Sequence, residues 1–248
     1  MNPVRITAVS YYNTLPLIYG ITRSGLLHHY DLSLDVPSGC ANQLLRGDTD
    51  ISLVPVGALP LFSEYRIVGK HCIGAIGKVR TVLLLSNSPV EKLKTIYLDK
   101  DSMTSVNLVK ILCRKLWKIS PEWKSLDNRE MYHPGEYDGV VMIGDKTFGA
   151  CELYRHCYDL SECWFNLTSL PFVFAVWITV KDIDEIFLSQ FEAALHWGVE
   201  HSRDSIKLAK NLMISQEELI RYLENDISFD LDEPKKKGME LFLKWLKK

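Results

Sequence analysis

Ser102, Thr104 and Ser105 place three hydroxyls within four residues, where a β-favouring run gives way to helical spacing. Residues 94–98, KTIYL, favour a strand, and apolar residues recur at 106, 108, 109, 111 and 112. A helix that opens on Ser and Thr aims unpaired backbone N–H groups and the positive end of its dipole forward. That is a seat for a carboxylate or phosphate, although the same residues also serve as a plain N-cap. Four other places carry usable polar groups. Asn13 lies in SYYNTLP, residues 10–16, and Ser38 in the Pro-Ser-Gly turn at 37–39. Ser86 ends the apolar run 79–85, and Gly144 and Asp145 follow the strand-like 138–143, DGVVMI. Asn13 can bind a hydroxyl or a carboxylate. Asp145 is the best-placed carboxylate for proton transfer, or else it caps a turn.

The elements that must position these groups read as alternating strands and helices. Residues 4–10, 30–36 and 50–56 are strand-like, with helical stretches from Pro16 to about Gly25 and at 40–45 between them. A β-α-β-α-β order implies right-handed crossovers and a parallel sheet. Ligands bind such sheets outside the carboxyl ends of the strands, which puts residues 10–13, 37–39 and Pro55 on one rim. Strands at 66–75 and 79–85 follow, then the β-α unit around Ser102 and another strand at 138–143. Residues 149–158 read as helical, 172–180 as a long strand, and 184–211 as a helix broken near Gly198. The economical assembly is an α/β protein of two α/β lobes around a cleft, with crossings near 85–89 and 171–177. It divides as 1–88 for the first part of lobe 1, 89–172 for lobe 2, and 173–248 for the return strand and C-terminal helices packed on lobe 1. A cleft between two lobes is where a small ligand usually sits.

Charge and composition narrow the partners. With 29 basic and 31 acidic residues the net charge is −2, which argues against nucleic acid or a membrane surface as partner. No run of about 18 apolar residues suggests a membrane span, and the first residues turn polar too early for a signal peptide. The six cysteines, at 40, 72, 113, 151, 157 and 163, include no CxxC pair. They read as mostly buried thiols of a cytoplasmic protein. Cys151, Cys157 and Cys163 with His156 match no structural zinc spacing, so no metal is expected.

Five motifs in order carry a resemblance over nearly the whole chain to about Val180. They are residues 10–16 (SYYNTLP), 50–60 (DISLVPVGALP), 102–108 (SMTSVNL), 143–145 (IGD) and 164–177, with its TSLPFVFAVW. Together they resemble the menaquinone-biosynthesis enzymes of the futalosine route, which have a type II periplasmic-binding-protein-like fold. The resemblance is nearest to the chorismate-dehydrating branch. The sister branch, 1,4-dihydroxy-6-naphthoate synthase, typically has a TTA-type turn where this chain has Met103, Thr104 and Ser105. It also has a catalytic His near the position of Asp145, and this sequence has neither. The resemblance implies a hydro-lyase that converts chorismate to 3-[(1-carboxyvinyl)oxy]benzoate and water, with no cofactor, as a monomer or homodimer. A solute-binding protein without chemistry is the alternative from another class.

Under that reading, loss of the C4 hydroxyl and the C3 hydrogen aromatises the ring. Charge moves onto the ring carboxylate, where donors at Thr104 and Ser105 would stabilise it. Asn13, Ser38, Ser86, Ser102 and Gly144 complete the expected site, with Asp145 or a substrate carboxylate taking the proton. No histidine falls in the motifs. Lys78 and Arg80 read as a solvated face, and Trp164, Phe172, Phe174 and Trp177 as core.

Overall fold

The computed structural model describes residues 3–99, 102–126 and 137–247. The first segment runs β1 (Val4–Val9), α1 (Leu15–Arg23), β2 (Tyr30–Asp35), α2 (Pro37–Arg46), β3 (Ile51–Pro55) and β4 (Arg66–Ala75). Next come β5 (Val82–Ser86), β6 (Thr95–Asp99), α3 (Met103–Leu112), β7 (Glu122–Leu126), β8 (Gly139–Ile143), β9 (His156–Asp159) and α4 (Leu160–Thr168). The chain ends with β10 (Phe172–Thr179), α5 (Glu185–Glu200), α6 (Ser202–Ser205), α7 (Gln216–Arg221), β11 (Ser228–Asp230) and α8 (Glu233–Leu246). Proline stands in the first turn of both α1 and α2, where its missing N–H costs no helical bond.

Two sheets result. The first has the order β11-β4-β10-β3-β1-β2, with β1 parallel to β2 and β3, and β10 antiparallel to β3 and β4. The second has the order β7-β6-β8-β5-β9, with β6 parallel to β7 and β8, and β5 antiparallel to β8 and β9. β3, β5 and β8 are buried at every residue, as central strands covered on both faces require.

Several expectations change here. β5 belongs to the second sheet, so the first crossing runs through residues 76–81 and not 85–89. Gly77 and Arg80 both take left-handed backbone, at φ 82 and 64, and break what reads in sequence as two adjoining strands. The Asp159 carboxylate accepts the N–H groups of Val79 and Arg80, at 2.9 and 2.7 Å, and fixes this turn. Residues 156–159 form β9 rather than the end of a helix, because they pair with β5. The helix break expected near Gly198 falls at His201. Gly198 instead lets α5 meet α1, since a Cβ there would lie 2.1 Å from the Pro16 carbonyl oxygen. Of the cysteines expected as thiols, Cys151 and Cys157 are joined in a disulfide, while Cys40, Cys72 and Cys113 are buried free thiols.

The C-terminal helices do more than cover the first sheet. α5 packs on β4 and α1, whereas α8 touches β10 and also α3 of the second half. Phe242 of α8 packs edge-on against Phe172 at 5.1 Å and Trp164 at 6.2 Å. Trp164, Phe172 and Trp177 are therefore core, as expected. Among the described residues no helix is long and apolar enough to cross a membrane.

Candidate active site

Between the sheets lies a narrow cleft with a cavity volume of about 60 Å³, open to solvent on one side. Its polar wall is Tyr11, Asn13, Thr81, Ser102, Thr104 and Ser105, with Gly144 beside them. Its apolar wall includes Val9, Pro37, Pro55, Ile143 and Phe174. These residues come from the carboxyl ends of β1, β3 and β8, the first turns of α2 and α3, and the crossing at 76–81. Phe174 reaches the cleft because the pairing of β10 with β4 shifts register between Val173 and Ala175. Such a bulge re-aims a side chain.

The head of α3 is built by its own hydroxyls. Ser102 is the N-cap: its Oγ accepts the Ser105 N–H at 3.1 Å and donates to the Ser105 Oγ at 2.8 Å. Thr104 is used differently. Its hydroxyl accepts the Gly57 N–H at 3.0 Å and donates to the Phe174 carbonyl at 3.1 Å. Gly57 and Phe174 belong to the first half of the molecule, so the Thr104 hydroxyl ties the two halves together at the floor of the cleft.

Asp145 makes a second tie. It stands in the 3₁₀ turn Asp145–Thr147 after β8, and its two carboxylate oxygens accept the Tyr12 N–H at 3.1 and 3.3 Å. Burial pushes its pKa up to about 6, against the opposing effect of that N–H. Gly144, at φ 73 and ψ −163, is in a region open to glycine alone, and a Cβ there would lie 2.8 Å from the Tyr11 ring. The tyrosine ring thus closes directly over the peptide that presents Asp145. Tyr12 passes the link onward: its hydroxyl accepts the Met213 N–H at 3.0 Å and donates to the Asn211 carbonyl at 3.3 Å.

A family profile described as menaquinone biosynthesis matches residues 4–248. The chain belongs to this family. Chorismate dehydratase from Thermus thermophilus is 27% identical to this menaquinone-biosynthesis family member, over 98% of the present chain and 94% of its own length. Among solved structures, the protein AF1704 from Archaeoglobus fulgidus superposes with a TM-score of 0.80 at 12% identity, covering 99% of this chain and 97% of its own. A Candida albicans protein described as having the generic periplasmic binding protein fold gives 0.65 at 13% identity, over 100% and 95%. The alkanesulfonate-binding protein SsuA from Xanthomonas axonopodis, bound to MOPS, gives 0.64 at 16%, over 98% and 91%. At these identities the structures show the fold, which is the two-lobed binding-protein architecture.

In this family member the sequence-predicted residues are brought together unequally. Asn13, Ser102, Thr104, Ser105 and Gly144 line the cleft. Asp145 stands behind that wall with its carboxylate turned to Tyr12. Ser38 sits half-buried on the first turn of α2, next to Pro37 on the rim. Ser86 is at the far end of the second sheet, fully buried, with its hydroxyl donating to the Ser88 carbonyl at 2.6 Å. Because β5 runs antiparallel to β8, its Val82 end and not its Ser86 end stands next to Ile143 and the cleft. Arg80 keeps its side chain partly in solvent, as expected, and also pairs with Glu218 at 2.5 Å and Asp226 at 3.5 Å. His71 is buried 3.1 Å from Glu192, and neither lines the cleft. Thr81, which lines the cleft, is not singled out by the sequence, where its signal is Gly77, a breaker just upstream of an apolar run. Among the described residues no cluster of three or more His, Cys, Asp or Glu could hold a metal ion.

Proposed function

We propose that this protein dehydrates chorismate to 3-[(1-carboxyvinyl)oxy]benzoate. The observation that carries the reading is the cleft wall. It sets Asn13, Ser105 and the first turn of α3 around the space between the sheets, with Phe174 and other apolar side chains opposite. This suits an anionic, ring-bearing small molecule. The family membership and the name of the Thermus relative point the same way.

The ring carboxylate sits at the head of α3. Ser102 donates to Ser105, which leaves the Ser105 hydroxyl proton for the ligand. Charge that develops on this carboxylate as C3 loses its proton is met by those donors. No carboxylate, imidazole or amine is among the described side chains that line the cleft. The proton therefore passes to the enolpyruvyl carboxylate, which is tethered through one ether oxygen to C3 itself. The same proton then leaves with the C4 hydroxyl as water, so no external acid is consumed and the ring becomes aromatic. Asn13 binds the departing hydroxyl. Asp145 acts from behind by holding the Tyr12–Thr14 turn that carries Asn13. Ser38 approaches from the rim of α2. With chorismate as substrate, the setting is cytoplasmic and the protein works as a monomer or homodimer.

Purified protein incubated with chorismate should remove the diene absorbance and yield a product lighter by one water in mass spectrometry. Saturable binding of chorismate with no change in either signal at high protein concentration would make the chain a solute-binding protein instead.

A further inference from the structure

Tyr222 has no role in the reading so far. It is fully buried and opens the π-helical turn Tyr222–Asp226 that follows α7. Its hydroxyl lies 2.8 Å from the Thr81 Oγ1. Burial raises its pKa, and the Asp145 charge opposes its ionisation further. Thr81 lines the cleft, whereas Tyr222 does not. The phenol thus stands directly behind a cleft residue.

The surroundings fix that phenol tightly. Its ring meets Phe148 edge-on at 5.2 Å, and the Arg80 guanidinium covers Phe148 at 5.4 Å. Arg80 then grips Glu218 and Asp226, which lie on either side of Tyr222 in sequence. Upstream, the Tyr12 hydroxyl holds Asn211 and Met213. A phenylalanine would fill the same space, so the hydroxyl is present for its polar contacts. A buried hydroxyl is costly unless it is partnered, and here the partner is the cleft residue Thr81.

We propose that Tyr222 is a positioning residue for the dehydration, holding Thr81 in the orientation that meets the substrate without touching the substrate itself. The assignment rests on the dehydratase reading. It gives the segment after α6 a part in the reaction.

The test is Tyr222→Phe in the full chain, assayed beside the unsubstituted protein. The expected result is a kcat lower by roughly 10- to 100-fold, the scale of a small misplacement of reacting groups. KM should stay within about 3-fold and the melting midpoint within a few degrees. Thr81→Val should show the same split, since it removes the same hydrogen bond from the other end. The double variant should be no worse than the poorer single one, because the two share one interaction. Thr81→Ser, which keeps the hydroxyl, should restore most of kcat. Should Tyr222→Phe not fold, the Thr81 pair decides alone. Unchanged kcat in Tyr222→Phe, or equal losses in Thr81→Val and Thr81→Ser, would overturn the assignment while leaving the dehydratase reading standing. An unsubstituted protein that leaves chorismate intact would remove both.

Discussion

Replacing Asp145 with Asn separates two roles that a buried carboxylate can have. In the fold its pKa is raised from 3.8 to about 6 by burial. A carboxylate raised in this way binds its proton more tightly in the folded chain than in the unfolded one. Its stabilising contribution is thus full below pH ~4 and is lost as pH rises through about 6. Above that, an ionised carboxylate is being held in a partly dry place. At about 1.4 kcal/mol per pH unit the cost has a ceiling of roughly 3 kcal/mol, and solvent at its half-buried edge reduces this to roughly 1–2 kcal/mol. Asn keeps an oxygen for the Tyr12 N–H and carries no charge. Asp145→Asn should therefore melt about 2–8 °C higher than the unsubstituted protein at pH 8, on a scale of about 2–4 °C per kcal/mol. The two midpoints should converge as pH falls toward 4. Because the oxygens face Tyr12 and not the cleft, kcat should stay within about 10-fold of the unsubstituted value. Thermal melts from pH 4 to 8, with chorismate turnover at each pH, make the measurement. A loss of kcat beyond about 1,000-fold in a folded variant would make Asp145 the base and sink the substrate-carboxylate route. Midpoints that differ equally at pH 4 and pH 8 would sink the linkage argument.

Two neighbouring hydroxyls on α3 should respond in opposite ways. Ser105→Ala should raise KM about 10- to 100-fold, the worth of a hydrogen bond to a charged group, with little change in the urea midpoint. Thr104→Val removes the bonds to Gly57 and Phe174, and should lower stability by about 1–3 kcal/mol in urea titration before any effect on binding. Alkylation of the denatured, unreduced protein should label four cysteines, and six after reduction, as counted by intact mass.

Periodicity and turn residues were enough to read the alternating strands of the first sheet, because buried parallel strands leave continuous apolar runs such as residues 51–55. The helix start at Ser102 was legible for a similar reason, since capping chemistry is local. What stayed hidden depended on pairing at long range. β9 is only four residues long, HCYD, too short for a pattern of its own, and only its register with β5 makes it a strand. Ser86 looked like a hinge residue until the direction of β5 was known, and that direction is set by its partners β8 and β9. The roles of Thr104 and Asp145 as ties could not be read from position either. Each bonds to a backbone group 47 and 133 residues away, and no local pattern encodes such a contact. Tyr222 was invisible for the same reason, as its partner Thr81 lies 141 residues upstream.

These long-range ties explain how a ligand-binding architecture can host a reaction with few reactive side chains. A dehydration that ends in an aromatic ring has a strong driving force of its own, so the protein's contribution is orientation and a fixed set of donors. Fixed donors require that the two halves meet in one arrangement. The Thr104 hydroxyl, the Asp145 carboxylate and the Tyr11 ring over Gly144 each cross the cleft, and each uses a residue from the motifs that also line it. The Tyr12 and Arg80 contacts to the C-terminal segment then brace the wall that carries Asn13. Under the proposed dehydration they hold the first turn of α3 and the Asn13 turn at a set separation, which is what a proton transfer between two groups of one bound molecule needs.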